Sequence, residues 1–459
     1  MSSWGEDSWE DIPNADSDHG TEPPEDMPAR LLEYIPGFPV WNDSGCAYVQ
    51  VTAYDLNTNF KHLSFGGHAD AALDSLVATF NLPGSLGATS VADCLFLDCE
   101  TTGLGRSSLP FLIGIGTFET VADIDSRVLQ RNADGSLVLG EGAVNPDPTG
   151  TGGAPTHFVI RQLFAWHPRE ECAVLQVLQD LTASRPVWAT FNGDAFDIPL
   201  IRARYHTNLI YFPELPLNDP FTDHAASRLD LLPLARKLWR RRIGSCSLSN
   251  CEHAVLGLAR AQQDVPGSLI PGMYRQYIET GRVHDMVRVF YHNRQDIVTM
   301  PFLLERMVQT VGATDAKPDA DLAGEDALSL AVVAFNNGNP ERASALLHAA
   351  IRALHSQPTQ ADAFRLLALH YKRQGDWDRA VRLWERWIST ATVDTVHPYI
   401  ELAKYHEWQS KDLDQADTYT RWAMYVRESS PFRHPPQTAA ELQHRLTRIS
   451  RKKRRLVRS

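Results

Sequence analysis

The stretch Leu95 to Leu104, LFLDCETTGL, constrains this chain more than any other. An apolar run, Cys94 to Leu97, leads into Asp98 and Glu100 and then into a Thr-Thr-Gly turn, with another glycine at Gly105. A short apolar run punctuated in this way predicts a buried strand. Side chains alternate along a strand, so Asp98 and Glu100 share one face and Cys99 takes the other. Two half-buried carboxylates held side by side repel unless a cation sits between them. Hard divalent ions such as Mg²⁺ and Mn²⁺ take oxygen ligands of this kind. Alone, the pattern is short and common, and a strand whose polar end surfaces into a loop accounts for it more simply.

At 459 residues the chain exceeds one ordinary domain, and two or three are expected. No apolar run approaches membrane-spanning length, and the start, MSSWGEDSWEDIP, is acidic where a signal peptide is basic and then apolar. Six cysteines without a CxxC pair suit reduced thiols, so a cytoplasmic protein without a membrane partner is expected. The net charge of -12 argues against nucleic-acid binding by the whole surface. That charge is segregated, however. Acidic residues crowd the segment up to Asp26, and basic ones crowd Arg451 to Arg455.

Residues 1–30 are acidic and poor in aliphatics, which predicts disorder. Residues 31–92 form an extension of weak signal, with Cys46 to Tyr54 compatible with a strand and Ala71 to Phe80 with a short helix. Further strands are predicted at Pro110–Glu119 (PFLIGIGTFE), His157–Trp166 (HFVIRQLFAW) and Val187–Phe191. The spacing of Cys172, Leu175, Leu178 and Leu181 predicts a helix over Arg169–Leu181. Asn132–Pro155, rich in Gly, Pro, Asp and Thr, reads as a long surface insertion between hairpin strands. Beyond Phe191 the chain reads as almost wholly helical.

From about Gly324 the texture becomes repetitive. Gly338-Asn-Pro-Glu-Arg-Ala343 and Gly375-Asp-Trp-Asp-Arg-Ala380 match in register, and Lys411-Asp-Leu-Asp-Gln-Ala416 keeps the frame without its glycine. The spacing is close to the period of about 34 residues of tetratricopeptide units. Small residues let paired helices approach, and the Gly or Asn turn joins them. Phe335, Tyr371 and Tyr405 are expected to pack between helices, and the stack to present a surface to a protein partner.

Two more segments carry acidic residues in defined settings. In Phe191 to Leu200 (FNGDAFDIPL), Asn192-Gly193 ends a strand and Pro199 suits a first helical turn. Asp197 then sits where the helix dipole favours negative charge, although capping by Asp197 or Asp194 reads equally well. In FYHNRQDIV, inside a helix predicted from about Val283 to Val308, His292 and Asp296 are four apart and share a face with Asn293 beside them. Tyr291 points away. A lone helical histidine is more often structural than catalytic, so this segment too decides nothing by itself.

Together, FLDCETTGL, FNGDAFDIPL and HNRQDIVTM resemble the three motifs of the DEDD superfamily of exonucleases. The stretches RLDLLPLARKLWRRRIGSCSLSNCEHAVLGL and DVPGSLIPGMYRQYI are similar to the YprB-type ribonuclease-H-like family, so the resemblance runs over roughly Asp93 to Leu304. It implies an α/β ribonuclease-H-like domain, a central mixed sheet flanked by helices. It also implies Asp98, Glu100, Asp197 and Asp296 as ligands of two divalent cations, Mg²⁺ or Mn²⁺. Two such ions about 4 Å apart activate water and stabilise the leaving oxygen of a phosphodiester displacement. The superfamily's general base is a His five before the last Asp or a Tyr four before it. Here the residue types are exchanged, as Tyr291 and His292. His292 is the expected base, because imidazole titrates near neutrality and it lies on the face of Asp296.

Thr101 and Asn192, adjoining the motifs, and Arg240 and Arg241 are the expected substrate contacts. Arg236, Lys237, Arg240, Arg241 and Arg242 flank Trp239, which offers phosphate contacts with a stacking ring, or else a solvated helix face. Asp230 is either a further site carboxylate or a helix start, and Ser249 with Glu252 reads as a capping box. The chain is thus expected to be a metal-dependent nuclease, a 3′-5′ exonuclease of DNA or RNA. Its nuclease domain spans 93–310 and its all-α tetratricopeptide-like repeats 324–430. A basic tail at 445–459 either binds nucleic acid or is a disordered end. The competing expectation is a non-catalytic nucleic-acid-binding scaffold that assembles a complex through its repeats.

Overall fold

The structure, a computed structural model, describes residues 27–66, 69–86, 89–105, 107–121, 124–132, 134–140, 154–182, 187–221, 227–261, 264–316, 322–354, 357–390, 395–429 and 436–456. The acidic segment up to residue 26 and residues 141–153 of the expected insertion lie outside the described residues. The chain divides into two compact units. One runs up to Arg236 and resumes over Ser245–Gln309; the other comprises Lys237–Gly244 and the chain from Thr310 onward.

The first unit carries strands β1 (Phe38–Asn42), β2 (Gly45–Asp55), β3 (Asn59–Phe60), β4 (Leu63–Ser64), β5 (Cys94–Thr101), β6 (Pro110–Glu119), β7 (Val128–Arg131), β8 (Leu137–Leu139), β9 (His157–Phe164), β10 (Val187–Thr190) and β11 (Ser227–Asp230). Its helices are α1 (Met27–Tyr34), α2 (Asp74–Phe80), α3 (Ile124–Arg127), α4 (Glu171–Thr182), α5 (Asp197–Tyr211), α6 (Leu231–Ile243), α7 (Leu248–Cys251), α8 (Ile270–Thr280) and α9 (His284–Ala316), with the ends of α6 and α9 passing into the second unit. Among the described residues the main sheet has nine strands in the order β11-β10-β5-β6-β9-β2-β8-β7, with β1 on β2; β3 and β4 form a separate ribbon. Strand β10 is parallel to β5 and β11, while β5, β6, β9 and β2 run antiparallel in succession. The sheet is therefore mixed.

Every residue of β6 and β9 is buried, which requires cover on both faces. On one side Leu95, Leu97, Ile113, Ile115 and Val159 share a core with Leu175 and Leu178 of α4 and Leu200, Ile201 and Tyr205 of α5. On the other, α9 seats against the two glycines of PFLIGIGTFE. A Cβ on Gly114 would lie 2.4 Å from Asn293 Oδ1, and one on Gly116 2.6 Å from Ile297 Cγ2. Glycine is thus the residue that lets α9 come down onto the sheet.

Strand β6 falls where its sequence predicted, and β5 continues past Leu97, so the acidic pair lies within the strand, with a register shift between Glu100 and Thr101. The weak 31–92 region is structural: β2 pairs with β9 from Tyr48–Phe164 to Asp55–His157, so it is an inner strand of the sheet. Strand β7 ends just before the expected insertion, but β8 lies inside it, fully buried and paired with β2, so that part of 132–155 is sheet and not surface loop; β11 lies in a region read as helical. Its sequence, Ser-Arg-Leu-Asp, has one apolar residue, and its strand form comes from pairing with β10 rather than from local composition.

Among the described residues the second unit is all helical, with α10 (Gly324–Asn336), α11 (Pro340–Ala353), α12 (Gln357–Gln374), α13 (Trp377–Thr390), α14 (His397–Trp408), α15 (Leu413–Ser429) and α16 (Pro436–Leu456). The three turns that carry the repeated hexads are built alike. Gly338, Gly375 and Lys411 take left-handed φ of 71°, 79° and 61°. The next residue, Asn339, Asp376 or Asp412, accepts with its side chain from the amide of Arg342, Arg379 or Gln415, capping the following helix. Ala343, Ala380 and Ala416 are fully buried, and Tyr371 bonds Ser344 and His348 of the neighbouring helix. The basic end is not a loose tail. It belongs to α16, whose Arg445, Arg448 and Lys452 all bond the buried Glu407. Among the described residues no helix is long and apolar enough to cross a membrane.

Candidate active site and metal centre

Strand alternation aims Asp98 and Glu100 at the face that carries α9, where one ligand atom each from Glu100, His292 and Asp296 lies within 4.8 Å of the others. Asp98 is held beside them: Asn293 Nδ2 donates to its Oδ2 at 3.0 Å. The fully buried Asn293 amide is fixed in turn by Gln162, which donates to Asn293 Oδ1 at 3.0 Å and to the Phe290 carbonyl at 2.8 Å. Asp197, the first residue of α5, is buried, and the Cys99 thiol donates to its Oδ1 at 2.9 Å.

Burial pushes Asp98 well above the usual carboxylate range, and Asp296, Glu100 and Asp197 each push it further. Glu100 is raised by burial and then by Asp296 and Asp197. Burial also lifts Asp197, to about 6, against the opposing Cys99 bond, and it raises Asp296 against the Arg260 and His292 charges. Carboxyls in this state resist ionisation until positive charge arrives. A partly buried set of carboxylate oxygens with one imidazole is the donor chemistry that Mg²⁺ or Mn²⁺ takes, so these residues fit the cations expected.

A second layer lies behind this cluster. The wide turn Glu252–Leu256 ends at Gly257 (φ 67°), and the Leu258 amide returns to the Glu252 carbonyl at 2.9 Å. That reversal brings Arg260 back onto the buried Glu252, which it grips at 2.6 and 2.5 Å. Arg260 also donates to Asp296 Oδ1, and to Asp264 Oδ2 at 3.3 Å. His292 Nδ1 lies 2.7 Å from Asp264 Oδ1, and its Nε2 faces Asp296 Oδ2 at 3.6 Å. A ring nitrogen this close to a carboxylate carries the proton, so in the neutral ring Nε2 is the acceptor. Burial disfavours the imidazolium, but the Asp264 bond and the Asp296 charge outweigh it and raise the His292 pKa. Tyr291 is turned aside, its hydroxyl accepting from the Ala261 amide at 3.2 Å.

Residues 150–308 match the model of the RNase_H superfamily. The chain carries a ribonuclease H-like domain. The match takes in Asp197, His292 and Asp296 and begins after the strand of Asp98 and Glu100. Over 385 residues the chain is 26% identical to the Uncharacterized protein YprB of Bacillus subtilis (strain 168), covering 82% of this chain and 80% of that protein. The mixed sheet flanked by helices is the expected ribonuclease H-like fold, followed by an all-helical region.

The other sequence candidates fall differently. The Thr101 hydroxyl is buried and donates to the Gly103 carbonyl at 2.7 Å, shaping the turn. Asn192 takes φ 73°, with its amide held by Asp230 Oδ1 at 2.8 Å. Asp230 also accepts from the Leu232 amide, as a residue at a helix start does, and its charge raises Asp197. Arg240 and Arg241 belong to the second unit, where Arg241 pairs with Asp362 at 3.6 Å and neighbouring Arg242 with Asp326 at 3.0 Å. Trp239 is fully buried and offers no stacking ring, because α6 turns its apolar stripe inward. The capping box fails as well. Ser247 caps the turn instead, and Glu252 is the anchor of Arg260 with Thr299 bonded to it at 2.7 Å. Arg260, Asp264 and Gln162 carry no motif signal in the sequence, and Glu252 reads there as a capping residue. Only the length of the side chains and two buried-face polar residues, Gln162 on β9 and Asn293 on α9, could have hinted at them.

Proposed function

We propose that this protein is a divalent-metal-dependent nuclease, a 3′-5′ exonuclease that hydrolyses phosphodiester bonds of DNA or RNA. One observation carries the reading: Glu100 and Asp296 meet His292 within 4.8 Å, and the charges of Asp296 and Asp197, from distant segments, raise both Asp98 and Glu100. A pair of divalent cations held by those four carboxylates supplies, when bound, the Lewis acidity for in-line displacement at phosphorus. His292 takes the proton of the attacking water on Nε2, while Asp264 holds Nδ1 and with it the ring. Asn293 and Gln162 keep Asp98 from rotating, so its oxygens stay aimed into the pocket. The C-terminal helices, as tetratricopeptide-like repeats, hold a protein partner against the nuclease's task.

The test is digestion of end-labelled single- and double-stranded DNA and RNA with Mg²⁺ or Mn²⁺, beside Asp98→Ala. Stepwise shortening by the native protein alone supports the assignment. Binding without cleavage, equal in both proteins, returns the scaffold reading.

A further inference from the structure

Arg260 is the one guanidinium among the described residues that reaches the carboxylate cluster, and it holds three separate acids. Glu252 takes Nε and one terminal nitrogen in a fork, Asp296 takes the same terminal nitrogen from the pocket side, and Asp264 takes the other. That other nitrogen also packs 3.3 Å from His292 Nδ1. The side chain cannot swing out freely, because Glu252 is itself buried and bonded by Thr299. A planar fork of this kind fixes direction as well as charge, which a lysine does not.

We propose that Arg260 sets both how tightly the pocket holds a divalent cation and where His292 points. Its fixed positive charge rests on an oxygen of Asp296, so it opposes an incoming cation at short range. Through Asp264 it fixes the partner that orients the imidazole, which makes Arg260 a positioning residue for the base. The two effects have opposite signs for the enzyme: the charge weakens cation binding, and the geometry raises turnover.

The turnover part rests on the nuclease reading; the affinity part does not. Mn²⁺ affinity is measured by calorimetric titration without nucleic acid, and turnover on a labelled single-stranded oligonucleotide, for the native protein, R260Q, R260K and D296N. R260Q binds Mn²⁺ about tenfold or more tightly than the native protein, while kcat falls at least tenfold at little-changed KM. R260K keeps the charge, so its Mn²⁺ affinity stays near native while kcat falls as in R260Q. If R260Q does not fold, judged by circular dichroism, R260K decides: native turnover overturns the proposal, and reduced turnover at native Mn²⁺ affinity supports it. Mn²⁺ binding lost in D296N but unmoved or weakened in R260Q overturns the role of Arg260 alone. Equal Mn²⁺ binding by native protein and D296N, or none by either, removes the metal pocket and this inference with it.

Discussion

The side-chain amide of Asn293, on helix α9, donates to the carboxylate of Asp98, on strand β5, at 3.0 Å. Gln162 donates to the other end of the same amide, so its orientation follows from its partners. This bond ties the third motif to the first. Asn293→Ala leaves Asp98 without a buried donor and Gln162 with one partner fewer, a cost of about 1–3 kcal/mol. Chemical denaturation should show that loss, with cleavage reduced more than the stability change explains.

Gly114→Ala places a methyl against Asn293 Oδ1, 2.4 Å away, and so pushes α9 off the sheet. Overpacking of this kind costs about 1–3 kcal/mol. The expected result is a lower unfolding midpoint together with weakened Mn²⁺ binding, since His292 and Asp296 ride on α9. Gly272→Ala, in helix α8 with nothing within 4 Å of the added carbon, is the control: it should leave Mn²⁺ binding unchanged and raise the unfolding midpoint slightly or not at all.

Burial lifts Asp197 from 3.8 to about 6. A carboxyl with a raised folded-state pKa favours the folded state while protonated. Its contribution is fully present below about pH 4 and is lost as pH climbs through about 6, a loss of about 3 kcal/mol. In the presence of a chelator, Asp197→Asn should therefore gain stability over the native protein progressively between pH 4 and 7. Thermal unfolding of both proteins across that range checks it. A constant difference contradicts the burial described for Asp197.

In the second unit, Lys411 takes the left-handed conformation (φ 61°) that glycine takes at the two preceding turns. A side chain there costs roughly 1 kcal/mol, which glycine avoids. Lys411→Gly should raise the stability of the helical unit by about that amount in chemical denaturation, without changing cleavage.

The legible parts of this protein are those whose periodicity is local. PFLIGIGTFE announces a buried strand, the Ala343, Ala380 and Ala416 frame announces paired helices, and the spacing of His292 and Asp296 puts them on one face. Strand partnership is not local: Cys46 to Tyr54 reads as a strand, but nothing in it says that it lies beside β9. Trp239 among arginines reads equally as a stacking platform or as part of a solvated helix face, and the amphipathic turn of α6 buries it. Arg260 and Asp264 lie in no periodic element, so their meeting with Asp296 and His292 is visible only once Gly257 has reversed the chain.

The proposed nuclease requires acids from distant segments to make one cation pocket. Titrating the native protein, Asp98→Asn and Asp296→Asn with Mn²⁺, followed by calorimetry or by the free-ion paramagnetic signal, tests it without any substrate. Saturable binding by the native protein, lost in each variant while both stay folded, is the predicted result. Binding that survives either substitution undiminished would contradict a shared pocket.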